Sequence, residues 1–148
     1  MRKKILIAEA DFDPGAELEA LNLPGAGGIA SFTGTVRNDT GNLAALHLEH
    51  YPGMTERALE KIVAEAASRW PLLGCTIIHR VGRLTPGQRI VFTAAASAHR
   101  QAALAATGFL IDWLKTCAPF WKREEFKDGA SQWVEARESD EEETAKWK

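Results

Sequence analysis

Two lysines that could share a reaction site stand on either side of a proline. Lys115 falls in the last turn of a predicted helix and Lys122 in the strand that follows, because Pro119 prevents the helix from continuing. A tight reversal at Pro119 would bring both ammonium groups to one pocket, which could be walled by Trp113, Phe120 and Trp121. Partial burial lowers the pKa of a lysine and leaves part of it as the free amine. This pattern indicates acid–base or nucleophilic chemistry.

Each of these residues also has an ordinary structural explanation. The helix macrodipole alone favours a lysine in a last turn, by about 0.3–1 kcal/mol, and a strand lysine is commonly a solvated edge charge. Cys117 is a second candidate nucleophile, but no histidine lies near it in sequence and a small buried hydrophobic role is more common. From the residues alone, both interpretations stay open.

An anion site is the second chemical hypothesis. His99 and Arg100 begin the same predicted helix, where free backbone N–H groups and the positive end of the dipole favour a phosphate. Arg37, before a polar loop, is either an anion clamp or a strand-end charge. The simpler alternative for His99 and Arg100 is one polar turn at an exposed helix start. Gly27 and Gly28 are too short a run for a phosphate loop.

Composition limits the classes of protein that the chain can represent. With 148 residues, 45% hydrophobic and 26% charged, we expect one domain over residues 1–137 and a charged tail over 138–148. A net charge of -2 argues against a general binder of nucleic acid or membrane surfaces. Two scattered cysteines, Cys75 and Cys117, indicate neither a disulfide scaffold nor a zinc site, so no metal is expected. The first apolar run ends at Glu9, too early for a signal peptide, and we expect a cytoplasmic protein.

Periodicity and turn residues predict an α+β domain with a mainly antiparallel sheet, three helices and about seven strands. The helices are predicted at about 14–22, 54–70 and 99–117, and the strands at 4–9, 29–37, 44–51, 75–81, 89–96, 120–126 and 131–136. Asp13 is expected to cap the first helix and Ser97 the third. Two hairpins are predicted, one joining 29–37 to 44–51 and one joining 120–126 to 131–136.

Several separate segments resemble the large-subunit family of molybdopterin synthase, in the family's order from about Gly28 to Arg137. Residues 1–27 match less clearly. The matching segments are Phe32-Thr33-Gly34-Thr35-Val36-Arg37, Leu48-Glu49-His50-Tyr51-Pro52-Gly53-Met54, Ile78-His79-Arg80-Val81-Gly82, Ser97-Ala98-His99-Arg100, Leu114-Lys115-Thr116 with Ala118-Pro119-Phe120-Trp121-Lys122-Arg123-Glu124, and Trp133-Val134-Glu135-Ala136-Arg137.

The resemblance implies an α/β hammerhead fold and a homodimer that binds a small ubiquitin-like subunit at each outer end, giving a heterotetramer. The partner's C-terminal Gly-Gly thiocarboxylate would deliver sulfur to cyclic pyranopterin monophosphate (precursor Z), and the product would be the dithiolene molybdopterin. The family needs no metal or redox cofactor for this step. An alternative is a non-catalytic subunit that only holds the ubiquitin-like protein. A third interpretation is a cysteine-dependent acyltransferase that uses Cys117.

The resemblance also implies a role for each candidate residue. Lys115 matches the family's essential lysine and Lys122 its second active-site lysine. The substrate phosphate would be bound by Arg37, His99 and Arg100, the last two reaching the site across the dimer interface. Cys117 departs from the charged or polar residue that is common in the family at this position.

Overall fold

Two four-stranded sheets and three helices make up the part of the chain described by the computed structural model, which is residues 1–134 and 144–147. The strands are β1 Arg2–Ala8, β2 Gly28–Thr35, β3 Leu43–His50, β4 Leu72–Arg80, β5 Gly82–Leu84, β6 Arg89–Ser97, β7 Phe120–Phe126 and β8 Ser131–Val134. The helices are α1 Pro14–Ala20, α2 Met54–Arg69 and α3 Arg100–Cys117. This mixture confirms the predicted α+β class.

The first sheet provides the rigid base of the molecule. Its order is β1-β4-β6-β2, in which β1 runs parallel to β4 and the other pairs are antiparallel. The two central strands, β4 and β6, are almost entirely buried because α3 packs on β6 and β2 while α2 packs on α3. Leu59, Ile62 and Phe109 carry the helical side of this core.

The second sheet carries one of the candidate lysines. Its order is β5-β3-β7-β8, and every neighbouring pair is antiparallel. In the register of β3 and β7, Phe120 lies opposite His50 and Lys122 opposite Leu48. Because side chains alternate along a strand, Phe120 and Lys122 share one face of this sheet.

Several local predictions are confirmed. Asp13 caps α1 with its Oδ1, which accepts from the backbone N–H groups of Gly15 at 3.0 Å and Ala16 at 3.4 Å. The final hairpin forms as β7 and β8, joined by a turn in which Gly129 has a φ of 90°. Asp128 Oδ1 accepts from Ala130 N at 2.9 Å in the same turn. These features depend on neighbours within a few residues.

The predicted hairpin between residues 29–37 and 44–51 is wrong. β2 pairs with β6 in the first sheet, whereas β3 pairs with β5 and β7 in the second. A register shift lies between Gly34 and Thr35, and Val36 then exchanges backbone hydrogen bonds with the turn before β6, donating to Gln88 O at 2.8 Å. The chain therefore stays attached to the first sheet where the hairpin would have turned back.

Ser97 does not cap α3, contrary to the prediction. It belongs to β6, and its hydroxyl donates to Pro71 O at 2.8 Å. His99 is the N-cap residue, without a side-chain capping bond. The short strand β5 was missed because three residues are too few to show a period. Residues 135–143 and 148 are not among the described residues, so the predicted boundary at 137/138 and most of the tail over 138–148 lie outside them.

Candidate active site

A cavity of about 880 Å³ lies between β2, the loop after it, β7, β8 and the end of α3. Three of the five predicted site residues, Arg37, Lys115 and Lys122, line it together. Its wall also holds Phe120 and the carboxylates of Asp39 and Glu124. The cavity thus brings three cationic side chains together with two carboxylates.

The two lysines converge because of a short reversal between helix and strand. Lys115 occupies the last turn of α3, which ends at Cys117. Ala118 has extended backbone, its N–H still donates to Leu114 O at 3.3 Å, and the N–H of Phe120 then donates back to Ala118 O at 3.0 Å. β7 begins at Phe120, so Lys122 points to the cavity two residues later. The predicted reversal at Pro119 is present.

Only one of the three aromatic residues expected to wall the pocket does so. Phe120 lines the cavity, but Trp121 lies on the opposite face of β7, 46% exposed and with its ring 6.2 Å from that of Tyr51. Trp113 packs against Phe109, with ring centroids 4.7 Å apart, and lines a separate groove between α2 and α3. Strand alternation and helix rotation therefore direct both tryptophans away from the lysines.

Arg37 reaches the cavity from the loop after β2 and pairs with an acid there. Its Nε lies 3.2 Å from Asp39 Oδ2, and both side chains are more than half exposed. Exposed ion pairs of this kind contribute only about 0–1 kcal/mol to the stability of the fold. A phosphate entering the cavity can therefore compete with Asp39 for the guanidinium.

His99 and Arg100 lie elsewhere on the chain. Both are exposed at the start of α3, and neither lines the lysine cavity of this chain.

Gly27 and Gly28 pack tightly on the start of α3. A Cβ on Gly27 would stand 2.1 Å from Ala98 O, and one on Gly28 would stand 3.1 Å from Arg100 Cα. The glycine pair thus permits a close approach of backbones.

His79 lies beneath the lysines, a placement that the sequence did not indicate. Its side chain is 1% exposed, and its ring stacks on Phe120 with centroids 3.8 Å apart and planes 16° apart. Nδ1 lies 2.8 Å from Arg80 O and carries the proton, since a carbonyl oxygen only accepts. Burial lowers the pKa of His79 to about 3, and the nearby charges of Lys115 and Lys122 act in the same direction. The ring is therefore neutral at physiological pH.

The two cysteines are both outside the lysine cavity. Cys117 is exposed and lines the groove between α2 and α3. Cys75 is buried in β4, and burial raises the pKa of its thiol to about 12. Within residues 1–134 and 144–147, no group of three or more histidine, cysteine or acidic side chains is placed to hold a metal ion. The same residues contain no helix long and apolar enough to cross a membrane.

Comparisons with known proteins agree with this architecture. The family model described as "MoaE protein" matches residues 7–117. The molybdopterin synthase catalytic subunit of Pseudomonas aeruginosa is 53% identical over 97% of both chains. The solved molybdopterin biosynthesis MoaE protein of Burkholderia ambifaria is 50% identical, with a TM-score of 0.84 over 99% of this chain and 98% of that one.

A more distant structure shows the fold alone. The complex of subunits 1 and 2 of molybdopterin-converting factor from Helicobacter pylori contains a chain that is 22% identical, with a TM-score of 0.70 over 92% of this chain and 90% of that one. Taken with the family match over most of the length and the identity above one half, these likenesses place the chain in the MoaE family of molybdopterin synthase catalytic subunits.

Proposed function

We propose that the lysine cavity is where sulfur passes from the thiocarboxylated C-terminus of a small ubiquitin-like partner to cyclic pyranopterin monophosphate. The observation that supports this most directly is the presence of Lys115, Lys122 and Arg37 on one cavity wall. Sulfur transfer from an acyl group requires stabilisation of a tetrahedral oxyanion and movement of protons, and lysine can do both. The arginine suits the substrate phosphate.

The bonds involved set the tasks of these side chains. The partner's thiocarboxylate sulfur displaces an oxygen substituent from a carbon of the pterin substrate, and that oxygen leaves with the bonding electron pair and takes up a proton from an ammonium group of the site. Water then attacks the carbonyl carbon of the resulting thioester, and the bond between the sulfur and this carbon breaks. The carbonyl carbon keeps the hydroxyl of the water and leaves as a carboxylate, while the sulfur stays on the pterin. An ammonium group stabilises the oxyanion formed by this attack, and an amine takes up the proton of the water.

A homodimer would complete the phosphate site. His99 and Arg100 are exposed at the start of α3 and lie outside the cavity of their own chain. β2 is an edge strand of the first sheet, and its Phe32 is 42% exposed while also lining the cavity. A second copy bound over β2 would therefore stand next to the cavity. This geometry supports a phosphate site formed by Arg37 from one protomer and by His99 and Arg100 from the other.

The partner is proposed to be a separate small subunit, giving a 2:2 assembly in the cytoplasm. The Helicobacter pylori structure supports this, since it is a complex of two different subunits. The cavity is lined in part by Gln132 and Val134 of β8, an edge strand of the second sheet, and we propose that the partner's extended tail binds beside this strand.

Reconstitution tests the proposal. The chain is mixed with a thiocarboxylated small subunit and cyclic pyranopterin monophosphate, and dithiolene formation is measured together with sedimentation of the protein complex. We expect turnover and a 2:2 assembly. A non-catalytic binding subunit would give the assembly without turnover, and a monomer that ignores the partner's intact tail would contradict the proposed complex.

A further inference from the structure

The reversal that separates the two lysines is held from one side by a buried hydroxyl. Thr55 lies in the first turn of α2 and is 0% exposed. Its Oγ donates to Pro119 O at 3.0 Å and accepts from Tyr51 N at 2.9 Å. One hydroxyl thus joins the β3–α2 turn to the carbonyl group between Lys115 and Lys122.

The same reversal is held from the other side by an aromatic stack. His79 packs its ring face to face on Phe120, the residue that follows Pro119. His79 itself cannot shift easily, because β4 lies between β1 and β6 and because its Nδ1 donates to Arg80 O. Phe120 is therefore fixed against a central strand of the first sheet.

These two contacts restrain the degrees of freedom that the covalent chain leaves open. The ring of Pro119 fixes its φ but not its ψ, and ψ decides where the carbonyl points. The Thr55 hydrogen bond sets that direction, and the His79 stack sets the orientation of the Phe120 side chain. Since Lys115 lies in the last turn of α3 and Lys122 follows Phe120 by two residues, the restraints act on the distance between the lysines.

We propose that Thr55 and His79 are positioning residues that hold Lys115 and Lys122 at the separation required for sulfur transfer. They act through Pro119 and Phe120. The inference rests on the proposed function of the lysine cavity, and it adds two residues, on α2 and on β4, that lie far from the lysines in sequence.

Two variants of Thr55 test the role of its hydroxyl. Thr55→Val keeps the shape and removes both hydrogen bonds, whereas Thr55→Ser keeps the hydroxyl and loses a methyl group. In a titration with the thiocarboxylated partner, we expect kcat per folded site to fall about tenfold or more in Thr55→Val, as for a displaced catalytic group, while KM for the partner is unchanged. Thr55→Ser should recover most of this loss.

A second pair of variants tests the stack. His79→Phe keeps an aromatic ring against Phe120 and loses the hydrogen bond to Arg80 O. His79→Asn keeps a polar group near that carbonyl and loses the ring. We expect kcat to stay close to wild type in His79→Phe and to fall by about tenfold in His79→Asn. The reverse order would contradict positioning through the stack.

A matched control separates positioning from simple destabilisation. Thr93 is also 0% exposed, and its hydroxyl donates to Thr107 O at 3.3 Å away from the reversal. Thr93→Val should lower Tm without lowering kcat per folded site. An equal loss of kcat in Thr93→Val and Thr55→Val would overturn the inference, and so would unchanged kcat in Thr55→Val and His79→Asn.

The proposed function has its own reference variant in the same assay. If Lys115→Ala is inactive while Thr55→Val and His79→Asn turn over normally, the positioning inference fails and the lysine site stands. If Lys115→Ala turns over normally in a folded protein, the lysine site itself is wrong and this inference falls with it.

Discussion

Lys115 and Lys122 reach the same cavity from two different elements, the last turn of α3 and the third residue of β7. Ala118 and Pro119 alone separate these elements, so the chain itself brings the lysines together. Arg37 belongs to the loop after β2, far from the lysines in sequence, and its position beside them depends on the tertiary fold. The local and the distant parts of the site can therefore be tested separately.

The arginines should control affinity for the phosphorylated pterin. Arg37→Ala and Arg100→Ala each remove a guanidinium that we assign to the substrate phosphate, and loss of such a charged hydrogen bond weakens binding by about tenfold or more. Titration calorimetry with the pterin measures the effect. Arg57→Ala is the control, because Arg57 lines the separate groove between α2 and α3. Unchanged affinity in both variants would remove the phosphate assignment.

The thiols should prove irrelevant to turnover. Cys117 is exposed and Cys75 is buried with a raised pKa, so a thiol reagent should modify one cysteine in the native protein and both in denaturant. Because Cys117 faces the groove and not the lysine cavity, Cys117→Ser should turn over at close to the wild-type rate. Loss of turnover in a folded Cys117→Ser protein would instead favour the cysteine-dependent mechanism.

Gly27 should be intolerant of even a methyl group. A Cβ would stand 2.1 Å from the backbone oxygen of Ala98. This atom belongs to the main chain, so it cannot move aside as the end of a flexible side chain can. We expect Gly27→Ala to lower the free energy of unfolding by about 1–3 kcal/mol or more in a denaturant titration. Gly108→Ala in α3 is the matched control, since the nearest contact of its Cβ among the described residues would be Trp147 Cζ2 at 3.8 Å, and alanine favours a helix. Equal stability of the two variants would contradict the close-approach explanation.

The features predicted correctly from the sequence are those with nearby causes. Asp13 caps the helix that starts at the next residue, and Pro119 ends α3 within two residues of its last turn. The resemblance identified the lysines, and the proline explains how they meet. Each of these conclusions requires only a few consecutive residues and a known backbone preference.

The failed predictions involve partners that are distant in sequence. β2 pairs with β6, which lies more than 50 residues further along the chain, and not with β3, the next strand in sequence. His79 comes to lie under Phe120 only when the two sheets pack together, and no local pattern signals that contact. The direction of Trp113 likewise depends on the packing of α2 against α3, which places its ring at the groove between these helices, and the sequence near Trp113 does not indicate this.

Acid should destabilise the protein through His79. Its pKa is about 3 in the folded state and about 6.5 when unfolded, so the unfolded chain binds more protons between these values. The resulting stability is fully present above pH 6.5 and is lost as the pH falls toward 3, by up to about 1.4 kcal/mol per pH unit. Denaturant titrations at pH 6.5 and 5 measure this, and His79→Phe should reduce the slope. An identical slope in wild type and His79→Phe would show that His79 does not cause it.

Lys115 should be the residue that turnover can least spare. Lys115→Ala should leave the fold intact, because loss of a lysine from a last helical turn costs only about 0.3–1 kcal/mol in dipole terms. Turnover should nevertheless fall by about a hundredfold or more, the lower end of the contribution of a positioned proton-transfer group. Lys122→Ala should lose less. The measurement is single-turnover dithiolene formation with saturating thiocarboxylated partner, alongside a thermal melt of each variant.

Arginine substitution separates the two roles that Lys115 can play. A guanidinium keeps its charge near neutral pH and cannot supply a free amine. If Lys115 moves protons, Lys115→Arg should be as inactive as Lys115→Ala. If full activity returns in Lys115→Arg, the residue works only as a fixed charge that stabilises the oxyanion, and proton transfer must be assigned elsewhere. Near-normal turnover in a well-folded Lys115→Ala protein would exclude Lys115 from the mechanism, and Lys122 would become the first residue to test.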